Sequence, residues 1–372
     1  MDDEPDDAPT PHVRRRDAAR HLFHPGTLKG GFQLSPQPHL HVSALAGIQA
    51  GLTAAIALPL VYLSPFAHLI GFAALGTLIA LFGRFAPPRQ RNRILFSCLV
   101  TQTMTVFVMS TLAWLGVSEP VLLAILSLAC GVLYFITVTA KFGPPGVLLF
   151  VFAGGAAMAP PSSFEAVLER TIAVIVVGSL AWAICALTEP LRRKKQAAIP
   201  FPVEPSRPLR NRIFACIGLV LGSAAAILVS KLAGAEHPSW AAMGAIAVMT
   251  GAHLRISMHR AAQRMAGTVV GALLAWAVLS LHPDTFVLIG LIVLLQIGTE
   301  AIIGFNYGLG QILVTPMALL MTYIAIPSGA GAAMAHERIL DTMLGAVIGI
   351  LAALALSSVR ERGKLVDHQN KG

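Results

Sequence analysis

Gly71-Phe72-Ala73-Ala74-Leu75-Gly76 runs on to Gly83, and Ser239-Trp240-Ala241-Ala242-Met243-Gly244 runs on to Gly251, one pattern written twice, 168 residues apart. A charged pair repeats at the same offset, Glu169-Arg170 with Glu337-Arg338. Ala and Gly can coincide by chance in so apolar a chain. Two separate blocks at one offset, the second of them charged, point to internal duplication. Nearly all the apolar mass lies inside the two copies, and a duplicated apolar bundle is a common ground plan of membrane transporters.

Composition agrees. Of the 372 residues 55% are hydrophobic and 12% charged, and the mean hydropathy is +0.72. A soluble domain carries about 25% charged residues, so this chain has too little polar surface to dissolve. His41–Gly83, Ile94–Ser118, Pro120–Ala140, Thr171–Thr188, Met265–Pro283 and Ala301–His336 hold no Asp, Glu, Lys or Arg, and about 20 apolar residues cross a bilayer. The expected fold is therefore all-α and integral to the membrane. It has ten to twelve spans, read as 43–63, 66–83, 94–116, 120–140, 145–160 and 168–189, then 212–233, 238–252, 264–281, 285–304, 309–326 and 336–356.

The net charge of +9 suggests topology and not nucleic acid. Arg14–Arg16, Arg84, Arg89, Arg91, Arg93, Lys141, Arg192–Lys195, Arg255, Arg260, Arg264, Arg360, Arg362 and Lys364 all fall on one side if both termini are cytoplasmic. The opposite loops hold Glu119, Glu165, Glu236, Asp284 and Glu337, which satisfies the positive-inside rule. Both six-span copies then enter from the same side, as parallel repeats. The domain reading is a polar cytoplasmic tail at 1–42, a first repeat at 43–190, a Pro-rich cytoplasmic linker at 191–211, a second repeat at 212–357 and a tail at 358–372. No cleavable signal is expected, since the first 40 residues are polar. Cys98, Cys130, Cys185 and Cys216 lie in apolar spans and read as buried small hydrophobes.

Three groups of residues could carry chemistry. After the eighth span, Arg260 and Arg264 share a helix face at i, i+4. They would form a basic mouth attracting anions or a simple inner anchor. Gly267 and Gly271 follow as a small-xxx-small packing seam. In the last span Glu337 and Asp341 share a face, and Arg338 is placed to pair with Asp341. Charges at membrane depth are costly and usually face a bundle interior, so these are candidates for a proton relay or a structural ion pair. Glu300, with Gln296 a turn earlier, precedes the polar break Asn306-Tyr307-Gly308-Leu309-Gly310-Gln311. Breaks of this kind mark transporter binding regions or a tight turn. Trp240 offers a stacking face or an interface anchor. No metal, nucleophile or phosphate-loop motif occurs, so neither a catalytic residue, a metal, a cofactor nor ATP drive is expected.

Pro238-Ser239-Trp240-Ala241, followed by Arg260…Arg264-Met265-Ala266-Gly267-Thr268…Gly271 and by Arg338-Ile339-Leu340-Asp341-Thr342-Met343-Leu344-Gly345, resembles the fusaric acid resistance (FUSC) family, also called aromatic acid exporters. The resemblance covers about 205–357 and is degenerate in the first half, where Phe72 replaces Trp. The family's better-known exporters carry a large cytoplasmic domain between the bundles, which the 191–211 join is too short to hold. The resemblance implies a bacterial inner-membrane protein that exports aromatic carboxylates. Substrate contacts would come from Arg260, Arg264, Trp240, Asn306 and Tyr307. Asp341, Glu300, Glu337 and Arg338 would couple transport to protons. The partners expected are the lipid bilayer and a small organic anion; a homo-oligomer and a periplasmic adaptor stay open. Two alternatives also stay open: a passive anion channel, as in plant malate channels, and a membrane scaffold without flux.

Overall fold

Runs with neither charge nor a competing polar side chain can satisfy their backbone in lipid only as helices, and the apolar runs here are helical among the described residues. The computed structural model describes residues 40–193, 208–251, 254–325 and 331–357. The polar N-terminal tail, most of the 191–211 linker and the C-terminal tail lie outside the described residues. The helices are α1 (Leu40–Tyr62), α2 (Ile70–Thr77), α3 (Pro88–Trp114), α4 (Glu119–Thr139), α5 (Leu148–Ala156), α6 (Phe164–Leu187), α7 (Glu189–Arg193), α8 (Leu209–Leu232), α9 (Ser239–Met249), α10 (Leu254–Ser280), α11 (Thr285–Ile302), α12 (Tyr307–Ala325) and α13 (Gly331–Leu356). Tight 3-10 turns at Ala67–Leu69 and Leu78–Leu81 extend α2 at both ends. No strand occurs among the described residues.

Local chemistry sets the ends. Pro88 and Pro120 open α3 and α4, where a missing N–H costs nothing. The Ser163 hydroxyl accepts from Ala166 N–H to cap α6, and the Asp284 carboxylate accepts from Phe286 and Val287 N–H to cap α11. Gly83 closes the second segment with φ +62°, a conformation that favours glycine.

The expectation of ten to twelve spans meets nine long helices and three short apolar ones among the described residues. Nine helices among the described residues, α1, α3, α4, α6, α8 and α10 to α13, are long and apolar enough to cross a membrane. Ala67–Leu81, Leu148–Ala156 and Ser239–Met249 are shorter. At 1.5 Å per residue the 11 residues of α9 reach about 17 Å of a hydrocarbon core about 30 Å thick. Hydropathy alone does not separate a short apolar helix from a full span, because the flanking turns are apolar too.

The packing repeats itself. Within the first half α2 and α3 pack on α6, and α1 packs on α2; within the second, α9 and α10 pack on α13, and α8 packs on α9. Across the halves α1 packs on α11 and α8 on α4, while α2 meets α12 and α9 meets α5. Each contact has its counterpart when the halves are exchanged. Small residues allow the tightest crossings. A Cβ added at Gly76 would press on Val177 and the Gly178 backbone, and one added at Gly345 would collide with the Ala241 carbonyl.

Outward faces stay apolar. Leu128, Leu221 and Leu351 are 58%, 60% and 60% exposed in mid-helix. Large side chains left so open across many helices make sense only against lipid.

Candidate functional site

The short helices α2 and α9 place their first turns on either side of a chamber of about 980 Å³ between the halves. Its floor includes Phe72, Leu75, Phe152, Trp240 and Met321. Glu119, Glu165, Glu169, Arg170 and Glu236 give it charge. Each half sets an arginine over the aromatic of its short helix. The Arg170 guanidinium lies 5.1 Å from the Phe72 ring centre and that of Arg338 lies 5.0 Å from Trp240. This is cation–π distance, where contact stabilises by about 0.5–2 kcal/mol. His237 stacks on Trp240 at 4.5 Å with the planes 11° apart. Glu337 accepts twice from His237, from its backbone N–H at 2.6 Å and at Nδ1 at 2.8 Å. With that carboxylate as its hydrogen-bond partner, and burial opposing, the His237 imidazole titrates above its usual range. Glu236, His237 and Glu337 bring ligand-type atoms within 4.8 Å of one another. Both Glu337 oxygens are already occupied by His237, which makes this an ion pair at a helix start.

Deeper in the second half, three charged side chains are buried with few partners. Arg264 is 4% exposed, Arg338 5% and Asp341 3%. Arg264 Nη1 donates to the Tyr307 hydroxyl at 3.2 Å and to Gln311 Oε1 at 3.4 Å, both neutral. Asp341 Oδ1 accepts from Ser230 at 2.6 Å, and its Oδ2 has no hydrogen bond. Arg338 Nε and Nη1 and Arg264 Nε likewise lack hydrogen-bond partners. Among the described residues no carboxylate oxygen lies within the 4.0 Å ion-pair distance of either arginine. Arg338 is nonetheless close enough to Arg264 and to Asp341 to feel their charge. Two buried cations face one buried carboxylate.

The end away from the chamber is wired differently. Arg91 and Arg192 are each 1% exposed. Arg91 donates to Gln49 Oε1 at 2.6 Å and pairs with Glu189 at 3.2 Å. Arg192 pairs with Glu189 at 2.6 Å and donates to the Arg84 carbonyl at 3.1 Å. Burial pushes the Glu189 carboxyl up, but hydrogen bonds and charge from Arg192 and Arg91 outweigh it and hold it below the usual carboxylate range. Arg84 reaches across the halves to an ion pair with Glu300. Burial lowers the Arg84 guanidinium to about 10, so it stays charged at neutral pH.

The structure therefore divides the sequence-predicted residues. Arg264, Tyr307, Arg338 and Asp341 come together inside the second half. Trp240 stands at the chamber, and Glu337 holds His237 there. Arg260 stands apart and half-buried, donating to Thr250 Oγ1 at 3.4 Å. Its neighbour Arg264 turns inward, so the two do not form an open mouth. Asn306 Oδ1 accepts from Gly308 N–H at 2.8 Å and from Leu309 N–H at 3.3 Å, closing the turn into α12. Arg338 is not ion-paired to Asp341; the aromatic face of Trp240 holds it instead. Glu300 is committed to Arg84. Gly267 lies against the Gly308 carbonyl and Gln311, and Gly271 against Ile312, Thr315 and Pro316, forming the α10–α12 seam. Sequence reading missed Ser230, His237, Gln311 and Arg84 as partners. Only Gln311 carried a signal, one helical turn after Tyr307. The others meet residues about 100 or more positions away.

An all-helical, multi-pass membrane protein with cations buried in its interior is the class that fold and site define. Residues 214–352 match the family described as "Fusaric acid resistance protein-like", so the resemblance to that family is shown over the second half. All of Trp240, Arg264, Tyr307, Arg338 and Asp341 lie inside the matched stretch. The chain is also 37% identical over 124 residues to the uncharacterized membrane protein YvaC of Bacillus subtilis (strain 168). That similarity covers 33% of this chain and 20% of the relative. No solved structure matches the chain.

Proposed function

We propose that the protein carries small organic anions across a bacterial inner membrane, as an exporter of aromatic carboxylates coupled to protons. The observation that carries this reading is a pair of buried arginines in the second half, Arg264 and Arg338, that no carboxylate among the described residues reaches within ion-pair distance. An unpaired buried charge costs several kcal/mol, and a protein that keeps two such arginines beside one carboxylate has a place for an anion. A carboxylate matches the fork of an arginine. Phe72 and Trp240 in the chamber wall offer aromatic faces to an aromatic body. Asp341 is the coupling group in this reading, because its protonation changes the charge beside the two arginines and so links proton binding to anion binding. Glu300 is withdrawn from that role by its pair with Arg84.

Two parallel six-helix repeats, with both termini and the Arg91–Arg192 end in the cytoplasm, fit the paired contacts and the basic residues at that end. The chamber then opens to the outside. The test is flux of labelled benzoate from proteoliposomes under an imposed pH gradient. Uphill movement driven by the proton gradient, beyond that in protein-free liposomes where neutral benzoic acid redistributes by itself, supports the reading. Movement that only follows the benzoate gradient makes the protein a channel, and no movement makes it a scaffold.

A further inference from the structure

The chamber carries the same four-residue device twice. In the second half His237, just before α9, bonds Glu337 in the first turns of α13, and the next residue, Arg338, lies over Trp240 of α9. In the first half His68, just before α2, bonds Glu169 of α6 at 3.0 Å, and the next residue, Arg170, lies over Phe72 beyond the start of α2. His68, Glu169, Arg170, Phe72, His237 and Trp240 all line the chamber. Each His–Glu contact ties a short helix to the long helix beside it, at the point where that wall meets the open space.

We infer that the His237–Glu337 contact is a proton-binding latch on the chamber wall, with His68–Glu169 as its more exposed copy. Histidine is the side chain whose ordinary range crosses neutrality. With His237 protonated, the latch is a charge-assisted pair closed over both Glu337 oxygens. With His237 neutral, Glu337 keeps its negative charge beside Glu236 and above the buried Asp341, and like charges press the wall apart. The groups facing His237 are Glu236 of its own loop, Glu337 and Asp341 of α13, and Arg338 through Trp240. The amine of Lys231, on α8, is held by Glu119 at 2.6 Å. Neighbouring acids stabilise the protonated ring, in keeping with the raised titration of His237. The sign follows: the contact's contribution is full below the ordinary histidine value of 6.5 and is lost as pH rises through the higher folded value. The side chains at the two contacts differ in exposure, 58% for His68 and 31% for His237, so solvent screens the first-half copy more.

Proton binding by the latch stands on this geometry alone; its use in transport rests on the function proposed above. Trp240 reports it directly, because a stacked imidazolium quenches indole emission and a neutral imidazole does not. In purified full-length protein with Trp114, Trp182 and Trp276 replaced by Phe, Trp240 emission should rise with pH along a single transition with its midpoint above 6.5. His237→Gln should abolish the transition, and Glu337→Gln should move its midpoint down by about one pH unit or more, the size of shift a lost neighbouring carboxylate produces. His68→Gln should leave it unchanged. A pH-independent Trp240 signal, or an unmoved midpoint in Glu337→Gln, overturns the latch. Melting temperatures of each variant show that the fold is kept. If the fluorescence transition appears but benzoate flux does not, the latch stands and the transport reading fails.

Discussion

The two halves share a scaffold and differ in what they do with buried charge. In the first, every deeply buried arginine is met by acid: Arg91 and Arg192 by Glu189, and Arg84 by Glu300 from across the halves. In the second, Arg264 has a phenol and an amide for company, and Arg338 an indole. At the 168-residue offset Glu189 corresponds to Ser357, Arg338 to Arg170 and Arg264 to Phe96, so the second half adds a buried arginine where the first has an aromatic. Ala173 corresponds to Asp341, so an acid appears deeper in the same helix. Phe82, packed between Phe142 and Phe150 at centroid distances of 6.2 and 5.1 Å, corresponds to Thr250, whose hydroxyl takes Arg260. Each half sets two buried arginines near one carboxylate; Glu189 bonds both of its arginines, whereas Asp341 bonds neither. Corresponding helix pairs recur in both, so the shared scaffold does not require either state.

The sharpest way to break this comparison is to remove charge from each half in turn. Glu300→Gln strands Arg84 in the interior and should cost about 3–5 kcal/mol. Arg264→Gln removes an uncompensated charge and should leave stability unchanged or raise it. Thermal unfolding in detergent compares the two variants. Equal losses would mean that Arg264 is as fully compensated as Arg84. Next in size, Phe82→Thr writes the second-half residue into the first-half plug. It should cost about 3 kcal/mol, in the range for truncating a buried aromatic, by the same assay.

A smaller effect follows from pH. Glu189 titrates below its ordinary value of 4.5. Its pairs with Arg91 and Arg192 therefore stabilise fully above that value and fade as pH falls through the lowered one. Melting temperature should drop on acidification below about 4.5 more steeply in wild type than in Glu189→Gln. Last, Asp341→Asn should leave the melting temperature nearly unchanged and flatten the pH dependence of benzoate flux. A flux profile identical to wild type would remove Asp341 from the coupling role.

Much of this was legible in the sequence, and the rest was hidden for definite reasons. Charge-free runs gave most helices to within a few residues, but α3 and α10 begin six and ten residues earlier than read from sequence, because their first turns carry arginines. The GFAALG and SWAAMG blocks marked α2 and α9 as counterparts. Their shortness was not visible, because Phe82-Gly83 and Thr250-Gly251 end helices through backbone geometry with no change in polarity. Of the site, Arg264, Tyr307, Arg338 and Asp341 stood out as polar residues in apolar surroundings. Their partners did not. A lone Ser230 in α8 or Arg84 after a glycine has no local mark of what it will meet across the bundle. Glu300 misled for the same reason, since its role is decided by Arg84, 216 positions earlier.

The central claim is that Arg264 and Arg338 form the anion site and the arginines of the first half do not. Equilibrium binding of labelled benzoate to detergent-purified wild type, Arg264→Gln, Arg338→Gln and Arg91→Gln measures it most directly, with melting temperature as the check on folding. The first two variants should stay folded and bind at least about tenfold more weakly, as loss of a charge-assisted hydrogen bond worth about 1.4 kcal/mol or more requires. Arg91→Gln should bind as wild type wherever it remains folded. Wild-type affinity in both Arg264→Gln and Arg338→Gln would contradict the claim.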